Sequence, residues 1–393
     1  MTAATMTIHT DCRAYRTDRP CDPHKALNHV CETCPVYDPV TTRVLVVKLD
    51  ATGDVLRTTA LLRPLRRAMP GCHVTWITRP EAIDVLKPNS LIDAVVPFGT
   101  DAMLLLATQE FDLVLNPDAS TTSSRLATLA RGREKRGFVL DAQGALQPLG
   151  EEARRWYSMG LRDSLKKSNQ RTYQSVLLGM CGLPEGEHPI IWEIAAEERR
   201  FADDFARRHG LARSAGPAIG LNTGAGGRWR WKKWTEQGYS DLVEMLLASR
   251  PDARVLLYGG PEEEARNREL AARNPGRLID TGTRNTLRNF GALVDLCDVM
   301  VTGDTMALHL ATALGKRIVA LFGPTSAAEI ELYGRGERIQ PEGMSCLVCY
   351  RSDCDVRPAC MERVSAKTVL NAVLKSVERG VAGRDVAGAE SAP

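Results

Sequence analysis

The sequence lacks the usual glycine-rich nucleotide fingerprints and lacks long apolar runs. Neither a G-x-G-x-x-G pattern nor a Walker A pattern occurs, so there is no dinucleotide or P-loop signature. No apolar run approaches the roughly 20 residues of a membrane span, and the opening residues carry neither the charged nor the apolar region of a secretory signal. We therefore expect a cytoplasmic protein.

The chain also has little excess charge for its size. Its formal net charge is +3 over 393 residues, so bulk electrostatics give no reason to expect a nucleic-acid partner. An apolar content of 44% is ordinary for a soluble enzyme. A chain of this length usually divides into more than one core, and we expect two similar domains.

The order of apolar segments predicts two series of alternating strands and helices. Val44–Val47 is apolar without alternation, as in a parallel strand that is covered on both faces. A helix over 54–68 follows, and the alternation continues through a strand at 111–116. A helix is also predicted near 168–181. A second series runs from 218–222 to 317–322. This pattern indicates an α/β protein with two doubly wound, Rossmann-like domains that face each other across a cleft.

One carboxylate stands at the end of the first predicted strand. Asp54 lies at or near the start of the following helix, on the edge of the sheet where open α/β folds bind ligands. That position suits a general base. It also suits a helix cap, and the sequence leaves both readings open.

Three turns of the second series would come together at the corresponding edge. The first offers Thr223, Gly224 and Gly226 to an anion, with Lys232 close behind. In the second, Glu263 follows Gly259 and Gly260 and could accept hydrogen bonds from ribose hydroxyls. The third, Thr302 to Thr305, opens the helix that carries His309, and its amide groups favour an anion. Each turn alone is more often structural, but together they outline a diphosphate site.

Eight of the eleven cysteines fall into two groups outside these series. Each group contains one C-x-x-C pair, which suits two ligands of a tetrahedral metal. A structural zinc ion, an iron–sulfur cluster or free thiols would each explain them, and one shared site or two are both open. Neither group lies at a catalytic strand end, which favours a structural role. The candidate metal ligands are Cys12, Cys21, Cys31, Cys34, Cys346, Cys349, Cys354 and Cys360.

Several stretches resemble the bacterial heptosyltransferase family, glycosyltransferase family 9. They are VKLDATGDVLRTT, NTGAGGRWRWKKW, YGGPEEEA and VTGDTMALHLATALGKRIVALFGPT, and the match covers about residues 43 to 370. The resemblance implies a GT-B fold and inverting transfer of a heptose from ADP-heptose without a metal. One departure is Met306, because relatives often have glycine after the Asp-Thr pair.

The resemblance also implies roles for individual residues. Asp54 would be the general base, and Lys232 would contact the diphosphate. Glu263 would hold the adenosine ribose, while Asp304 and Thr305 would bind the diphosphate or heptose and His309 would orient their loop. The neighbouring turn residues Thr223, Gly224 and Gly226 complete the predicted donor site.

Basic side chains suggest an anionic acceptor. The candidates are Arg57, Arg125, Lys166 and Lys167, although such charges often form only a solvated face. A phosphorylated lipopolysaccharide core or another glycan or lipid-linked acceptor would fit, with peripheral contact at the inner membrane; a small natural product is the alternative.

The predicted domain organisation has five parts, and two other functions stay open. The parts are a Cys-rich arm (1–42), an acceptor domain (43–200), a nucleotide-sugar domain (201–345), a Cys-rich segment with a helix (346–380) and a disordered tail (381–393). The other functions are a nucleotide-sugar epimerase of the same architecture and a non-catalytic binding protein that is stabilised by a structural metal.

Overall fold

A computed structural model describes residues 7–211, 216–226 and 231–389. The chain forms two compact units. The first comprises Met1–Ala51, Thr58–Tyr157 and Val176–His188, and the second comprises Thr52–Arg57, Ser158–Ser175 and Pro189–Pro393. The short segment Thr52–Arg57, which contains Asp54, therefore belongs to the second unit.

The two units contain the following strands and helices, numbered in chain order. The strands are β1 (Thr42–Val47), β2 (Cys72–Thr78), β3 (Ala94–Pro97), β4 (Glu110–Asn116), β5 (Arg131–Leu140), β6 (Leu146–Leu149), β7 (Ala218–Asn222), β8 (Arg254–Tyr258), β9 (Leu278–Asp280), β10 (Val299–Gly303), β11 (Arg317–Leu321) and β12 (Gly336–Ile339). The α-helices are α1 (Asp22–Leu27), α2 (Thr52–Thr58), α3 (Leu62–Ala68), α4 (Thr100–Thr108), α5 (Thr121–Leu129), α6 (Glu151–Leu161), α7 (Asp163–Ser168), α8 (Tyr173–Met180), α9 (Ala196–Arg208), α10 (Glu236–Ser249), α11 (Glu264–Arg273), α12 (Leu287–Val294), α13 (Met306–Ala313) and α14 (Ala366–Ala389).

The first unit is built on one six-stranded sheet in the order β3-β2-β1-β4-β5-β6. Its pairs are parallel except for β5 with β6. Val44 to Val47 are fully buried, as expected for a central strand that is covered on both faces. The N-terminal arm is attached by Arg13, whose guanidinium donates to Asp93 (2.6 Å) and Asp38 (2.7 Å).

The second unit has a sheet in the order β12-β11-β10-β7-β8-β9, in which every pair is parallel. Val369, Val373 and Val377 of α14 recur every four residues and are buried in the core of this unit, so this helix covers its sheet through one apolar stripe. The two sheets confirm the predicted pair of doubly wound α/β units.

Two predicted helices are interrupted for local reasons. The helix predicted over 54–68 contains a 3-10 turn at Thr59–Leu61, because Pro64 has no N–H to continue the α-helical pattern from the preceding turn. The helix predicted near 168–181 begins only at Tyr173. Before it, Asn169 accepts from the Arg171 N–H (3.2 Å) and donates to the Arg171 carbonyl (2.8 Å), a local turn that competes with helix.

The structure adds elements that the sequence patterns did not predict, among them α1, α6, β6 and β12. Helix α14 extends through most of the segment for which a disordered tail is predicted, and residues 390–393 lie outside the described part. Within the described part, none of the helices has the length and apolar character needed to cross a membrane. The sequence-based domain boundaries stay predictions.

Candidate active site

Asp54 lies in the first turn of α2 and forms an ion pair with Arg57. Its Oδ1 is 2.9 Å from Arg57 Nε, and the Asp54 side chain is 38% exposed while that of Arg57 is 10% exposed. The carboxylate is therefore held on one side and open on the other. This exposure is what a base that must reach a substrate hydroxyl requires.

Helix α2 packs against α13 through a glycine. A Cβ atom added to Gly53 would lie 2.8 Å from His309 Cδ2, so only glycine lets the imidazole come this close to the α2 backbone. Burial, reinforced by the charge of Arg57, lowers the pKa of His309 to about 4, although Asp304 and Asp54 oppose that shift. His309 is consequently a neutral imidazole at pH 7. Its Nε2 lies 4.0 Å from Asp304 Oδ1.

Lys232 and Asp304 form the second ion pair of the site. Lys232 Nζ donates to Asp304 Oδ2 (3.0 Å) and to the Asp304 carbonyl (3.3 Å). Burial alone would raise the pKa of Asp304, but Lys232, His309 and Arg57 outweigh it and hold that pKa below its ordinary value. Asp304 is thus ionised at neutral pH. Its carboxylate and carbonyl hold Lys232 beside the turn after β10.

Asn222 joins the turns that follow β7 and β10. Its side-chain amide donates to the Gly224 carbonyl (3.0 Å) and to the hydroxyls of Thr302 and Thr305 (3.1 Å each). Thr305 precedes α13 but does not cap it with its side chain, because its hydroxyl is engaged by Asn222 and Thr302. The first turn of α13 therefore presents amide N–H groups that suit an anion.

Glu263 is buried beside the loop that follows β7. Its Oε1 accepts from Lys233 Nζ (2.6 Å), and its Oε2 accepts from the Gly260 N–H (2.9 Å). A Cβ on Gly224 would lie 2.6 Å from Oε2, so glycine is needed for the backbone to pass this carboxylate. A carboxylate has about four lone-pair positions, which leaves acceptor capacity for a further donor.

The remaining turn residues frame this loop. Thr223 is fully buried, and its hydroxyl contacts Asn267 Oδ1 (2.7 Å) and the Tyr258 carbonyl (3.0 Å). Gly226 has a φ of +69°, a conformation that favours glycine. Residues 227–230 of the predicted anion-binding turn lie outside the described residues.

Three residues that the sequence patterns did not single out surround Arg57. The guanidinium of Arg57 lies over the ring of Tyr173, 3.9 Å from its centroid. The Tyr173 N–H donates to the Glu329 carbonyl (2.9 Å), and the Tyr350 hydroxyl is 3.5 Å from Glu329 Oε1. Burial raises the pKa of Glu329, with Arg57 opposing that shift. The one sequence feature that could have marked Glu329 as a candidate site residue is its position in the segment that follows β11.

The predicted acceptor residues do not all lie in the same unit. Arg57, Lys166 and Lys167 belong to the second unit, whereas Arg125 is an exposed residue of α5 in the first. Lys166 Nζ lies 4.5 Å from the centroid of the Tyr350 ring, and Lys167 Nζ donates to the Ser345 carbonyl (3.3 Å). Lys166 is therefore part of the surroundings of Glu329.

The cysteines are free thiols in the structure. Burial first, and then the neighbouring thiols Cys349, Cys354 and Cys346, raise the pKa of Cys360 to about 11. These four thiols are thus electrostatic neighbours. Across the described side chains, however, no set of three or more His, Cys, Asp or Glu residues has the arrangement of a metal site. The predicted metal ligands do not fit a ready-made centre, in either group.

The second unit thus brings together most of the predicted catalytic and donor residues. Asp54, Arg57, Lys232, Asp304 and His309 influence one another electrostatically, while Glu263 stands with Gly224 at the edge of the neighbouring turn. A carboxylate that is open to solvent, a fixed ammonium group and a helix start together suit transfer from a phosphorylated donor.

Comparisons with known proteins identify the family and the fold of the chain. Residues 104–359 match the model of the family described as glycosyltransferase family 9 (heptosyltransferase). A lipopolysaccharide heptosyltransferase 1 of Salmonella typhimurium is 22% identical over 315 residues, which cover 75% of this chain and 92% of that protein.

Solved structures show the same fold. A family 9 glycosyltransferase of Veillonella parvula superposes with a TM-score of 0.69 at 19% identity, covering 86% of this chain and 98% of that one. The E. coli heptosyltransferase WaaC with ADP-2-deoxy-2-fluoro heptose gives a TM-score of 0.57 at 18% identity, covering 86% and 99%. The fold is therefore GT-B, with two Rossmann-like domains. The chain belongs to glycosyltransferase family 9, the heptosyltransferases, and is a glycosyltransferase enzyme.

Proposed function

We propose that the protein is an inverting glycosyltransferase that moves a heptose from ADP-heptose to a hydroxyl of a lipopolysaccharide-core acceptor. The observation that carries this proposal is the half-exposed carboxylate of Asp54, in the same unit as the Lys232–Asp304 pair and the start of α13. The donor is supported by the relatives, because a heptosyltransferase of this fold has been solved with a fluorinated ADP-heptose.

Asp54 is proposed as the general base. As the acceptor oxygen attacks the anomeric carbon, its proton passes to the Asp54 carboxylate while the bond from that carbon to the diphosphate oxygen breaks. Attack opposite the leaving group inverts the configuration of the anomeric carbon. The ion pair with Arg57 fixes Oδ1, so that the carboxylate enters the reaction already oriented.

Lys232 and the first turn of α13 are proposed to stabilise the leaving ADP. Negative charge grows on the diphosphate as the glycosidic bond breaks, so that fixed donors stabilise the transition state more than the ground state. Asp304 holds the Lys232 ammonium in place before the donor binds. The transfer step as proposed uses the side chains and amides of this chain.

Glu263 is proposed to accept hydrogen bonds from the adenosine ribose. Lys233 and the Gly260 N–H fix both of its oxygens, and the glycine at position 224 lets the backbone of the loop after β7 lie close to them. A rigid carboxyl acceptor of this kind would distinguish a ribose from a deoxyribose.

The basic residues Lys166, Lys167 and Arg57 of the second unit are proposed to contact an anionic acceptor, and Arg125 of the first unit stays a separate candidate. Phosphate groups of a lipopolysaccharide core would supply the opposite charge, and such a lipid-linked acceptor implies peripheral contact with the inner membrane. An acceptor without negative charge would not account for these basic residues.

For the cysteines, we propose that the C-terminal group takes up a structural zinc ion or an iron–sulfur cluster by rotation of the cysteine side chains, with the loop backbone in place. The support is the C-x-x-C spacing and the mutual influence of the four thiols. The transfer step does not pass through this group. Metal analysis and an absorption spectrum of anaerobically purified protein test it, since zinc is colourless and a cluster is not.

The function is tested by measuring ADP release from ADP-heptose with and without a heptose-deficient lipopolysaccharide core. Release that depends on the acceptor, together with weaker binding of GDP- and UDP-sugars, is the expected result. Conversion of the sugar without an acceptor would favour an epimerase, and the absence of turnover with every nucleotide sugar would favour a binding protein.

A further inference from the structure

Glu329 is a buried carboxylate that the proposed transfer step does not use. It is 9% exposed and lies beyond the turn after β11. Arg57, Asp304, Lys166 and Asp54 all act on it electrostatically, so it belongs to the charge network of the site without being part of the proposed donor or base. A buried carboxylate is costly unless its neighbours compensate for it, and this one therefore needs an explanation.

Glu329 contacts Tyr173, which packs against Arg57, and it also contacts Tyr350. The main-chain carbonyl of Glu329 accepts a hydrogen bond from the Tyr173 N–H (2.9 Å). The Arg57 guanidinium lies over the Tyr173 ring, 3.9 Å from its centroid. Glu329 Oε1 is 3.5 Å from the Tyr350 hydroxyl. Arg57 in turn holds Asp54 at 2.9 Å. A continuous set of contacts thus joins Tyr350 to the proposed base.

Tyr350 is brought to this place by the cysteine-containing segment. The N–H groups of Val348 and Tyr350 donate to the carbonyls of Gly323 (3.1 Å) and Pro324 (2.9 Å), which anchors the loop on the turn after β11. The Ser326 N–H donates to the Tyr350 hydroxyl (3.2 Å).

The loop adopts an unfavourable backbone conformation to do so. Val348 has a φ of +59° and Tyr350 one of +50°, in the left-handed region that β-branched and aromatic residues rarely enter. Strain of this kind persists only where the surroundings enforce it, and it is concentrated at functional sites.

We propose that Glu329 and Tyr350 are positioning residues that hold Arg57, and through it the Asp54 carboxylate, in the orientation required for glycosyl transfer. The inference rests on the proposed function of Asp54. It assigns a role to the C-terminal cysteine segment, because Tyr350 belongs to that segment and its hydroxyl lies beside Glu329. Neither residue touches the donor in this account, so their removal acts on turnover and leaves donor binding alone.

The test compares Glu329→Gln, Tyr350→Phe and the double variant in the full-length enzyme. Glu329→Gln keeps the main-chain carbonyl that accepts from Tyr173 and removes the side-chain charge that acts on Arg57. Tyr350→Phe keeps the ring and removes the hydroxyl that contacts Glu329. We expect kcat for acceptor-dependent ADP release to fall by about 10-fold or more in each single variant, with the KM for ADP-heptose unchanged and the circular dichroism spectrum that of the folded wild type. Because the two residues act as one unit, the double variant should be no slower than the slower single variant.

Glu342→Gln is the matched control, since Glu342 is exposed and lies in the neighbouring part of the same segment. It should retain the wild-type kcat. Wild-type kcat in both Glu329→Gln and Tyr350→Phe would overturn the inference, as would losses that multiply in the double variant. A rise in the donor KM with kcat unchanged would also overturn it, because it would assign these residues to donor binding. Failure of the wild-type enzyme itself to transfer heptose would instead reject the proposed function.

Discussion

Gly53 and His309 lie so close that a Cβ atom on Gly53 would be 2.8 Å from Cδ2 of the imidazole. This contact fastens the helix that carries Asp54 to the helix that begins after Asp304. The imidazole is buried and cannot retreat without moving α13. The relative placement of the proposed base and the proposed diphosphate site therefore depends on glycine, which has no side chain, at position 53.

Gly53→Ala should accordingly destabilise the protein. Overpacking of a buried contact costs about 1–3 kcal/mol, which urea unfolding followed by circular dichroism can measure. Gly160→Ala is the matched control, because Gly160 is also helical but has open space where its Cβ would be; alanine there should add up to about 1 kcal/mol of stability. Equal stability of Gly53→Ala and wild type would show that the contact is looser than described.

Lys232→Met should weaken both donor binding and catalysis. The variant keeps the length of the side chain and removes the charge that is held by Asp304. Loss of one fixed donor to a developing oxyanion typically costs about 100-fold in kcat. Steady-state kinetics with ADP-heptose measure both effects.

The control for this variant is Lys375→Met, because Lys375 is 51% exposed and pairs with Glu337 instead. It should behave as wild type. An unchanged kcat and donor KM in Lys232→Met would remove Lys232 from the site.

Glu263→Ala should abolish discrimination at the ribose. Hydrogen bonds to a charged acceptor contribute about 1.5–3 kcal/mol, so the wild-type enzyme should bind ADP at least about 10-fold more tightly than 2′-deoxy-ADP. Calorimetry should give nearly equal affinities for the two nucleotides in the variant. Glu264→Ala changes the next residue, whose pairs are with Arg268 and Arg284, and should keep the preference. The same preference in Glu263→Ala would assign the ribose to another residue.

The buried imidazole of His309 predicts a loss of stability in acid. Burial lowers its folded-state pKa to about 4, whereas the unfolded value is near the ordinary 6.5. Between these values the unfolded chain binds the extra proton, so the free energy of unfolding falls as the pH drops from about 6.5 to about 4, by up to about 1.4 kcal/mol per pH unit. Above pH 6.5 both states are neutral and the contribution is constant.

His309→Asn isolates this contribution. Urea unfolding of wild type and variant at several pH values should give a smaller slope between pH 4 and 6.5 for the variant, by about one bound proton. Parallel curves for the two proteins over this range would mean that His309 carries no such burial penalty.

Much of the fold could be predicted because the strands of parallel sheets are buried on both faces. Val44–Val47, Ile219–Leu221 and Ile318–Leu321 are continuous apolar runs, and each forms part of a central strand. The antiparallel pair of β5 with β6 escaped prediction, because Leu146–Leu149 is short and carries Pro148.

Residues of the candidate site stand out in the sequence only where they follow a strand end or a glycine turn. Asp54, Glu263 and Asp304 do so. Glu329, Tyr173 and Tyr350 approach Arg57 from segments that are distant in the sequence, and no local pattern relates them. The cysteine spacing predicted a metal site, but spacing does not fix the directions of the thiols, and no such centre is formed among the described side chains.

The role of Asp54 is the central claim, and it is tested most directly by Asp54→Asn. Asn keeps the size of the side chain but cannot take a proton from the acceptor. The control is Asp101→Asn, since Asp101 also stands in the first turn of a helix and is exposed; it should retain wild-type turnover.

The decisive measurement is the rate of acceptor-dependent ADP release from ADP-heptose, taken together with the dissociation constant for ADP. Our account predicts that Asp54→Asn binds ADP like the wild type but releases it at least about 100-fold more slowly, the usual contribution of a general base. Turnover above about a tenth of the wild-type value would contradict it.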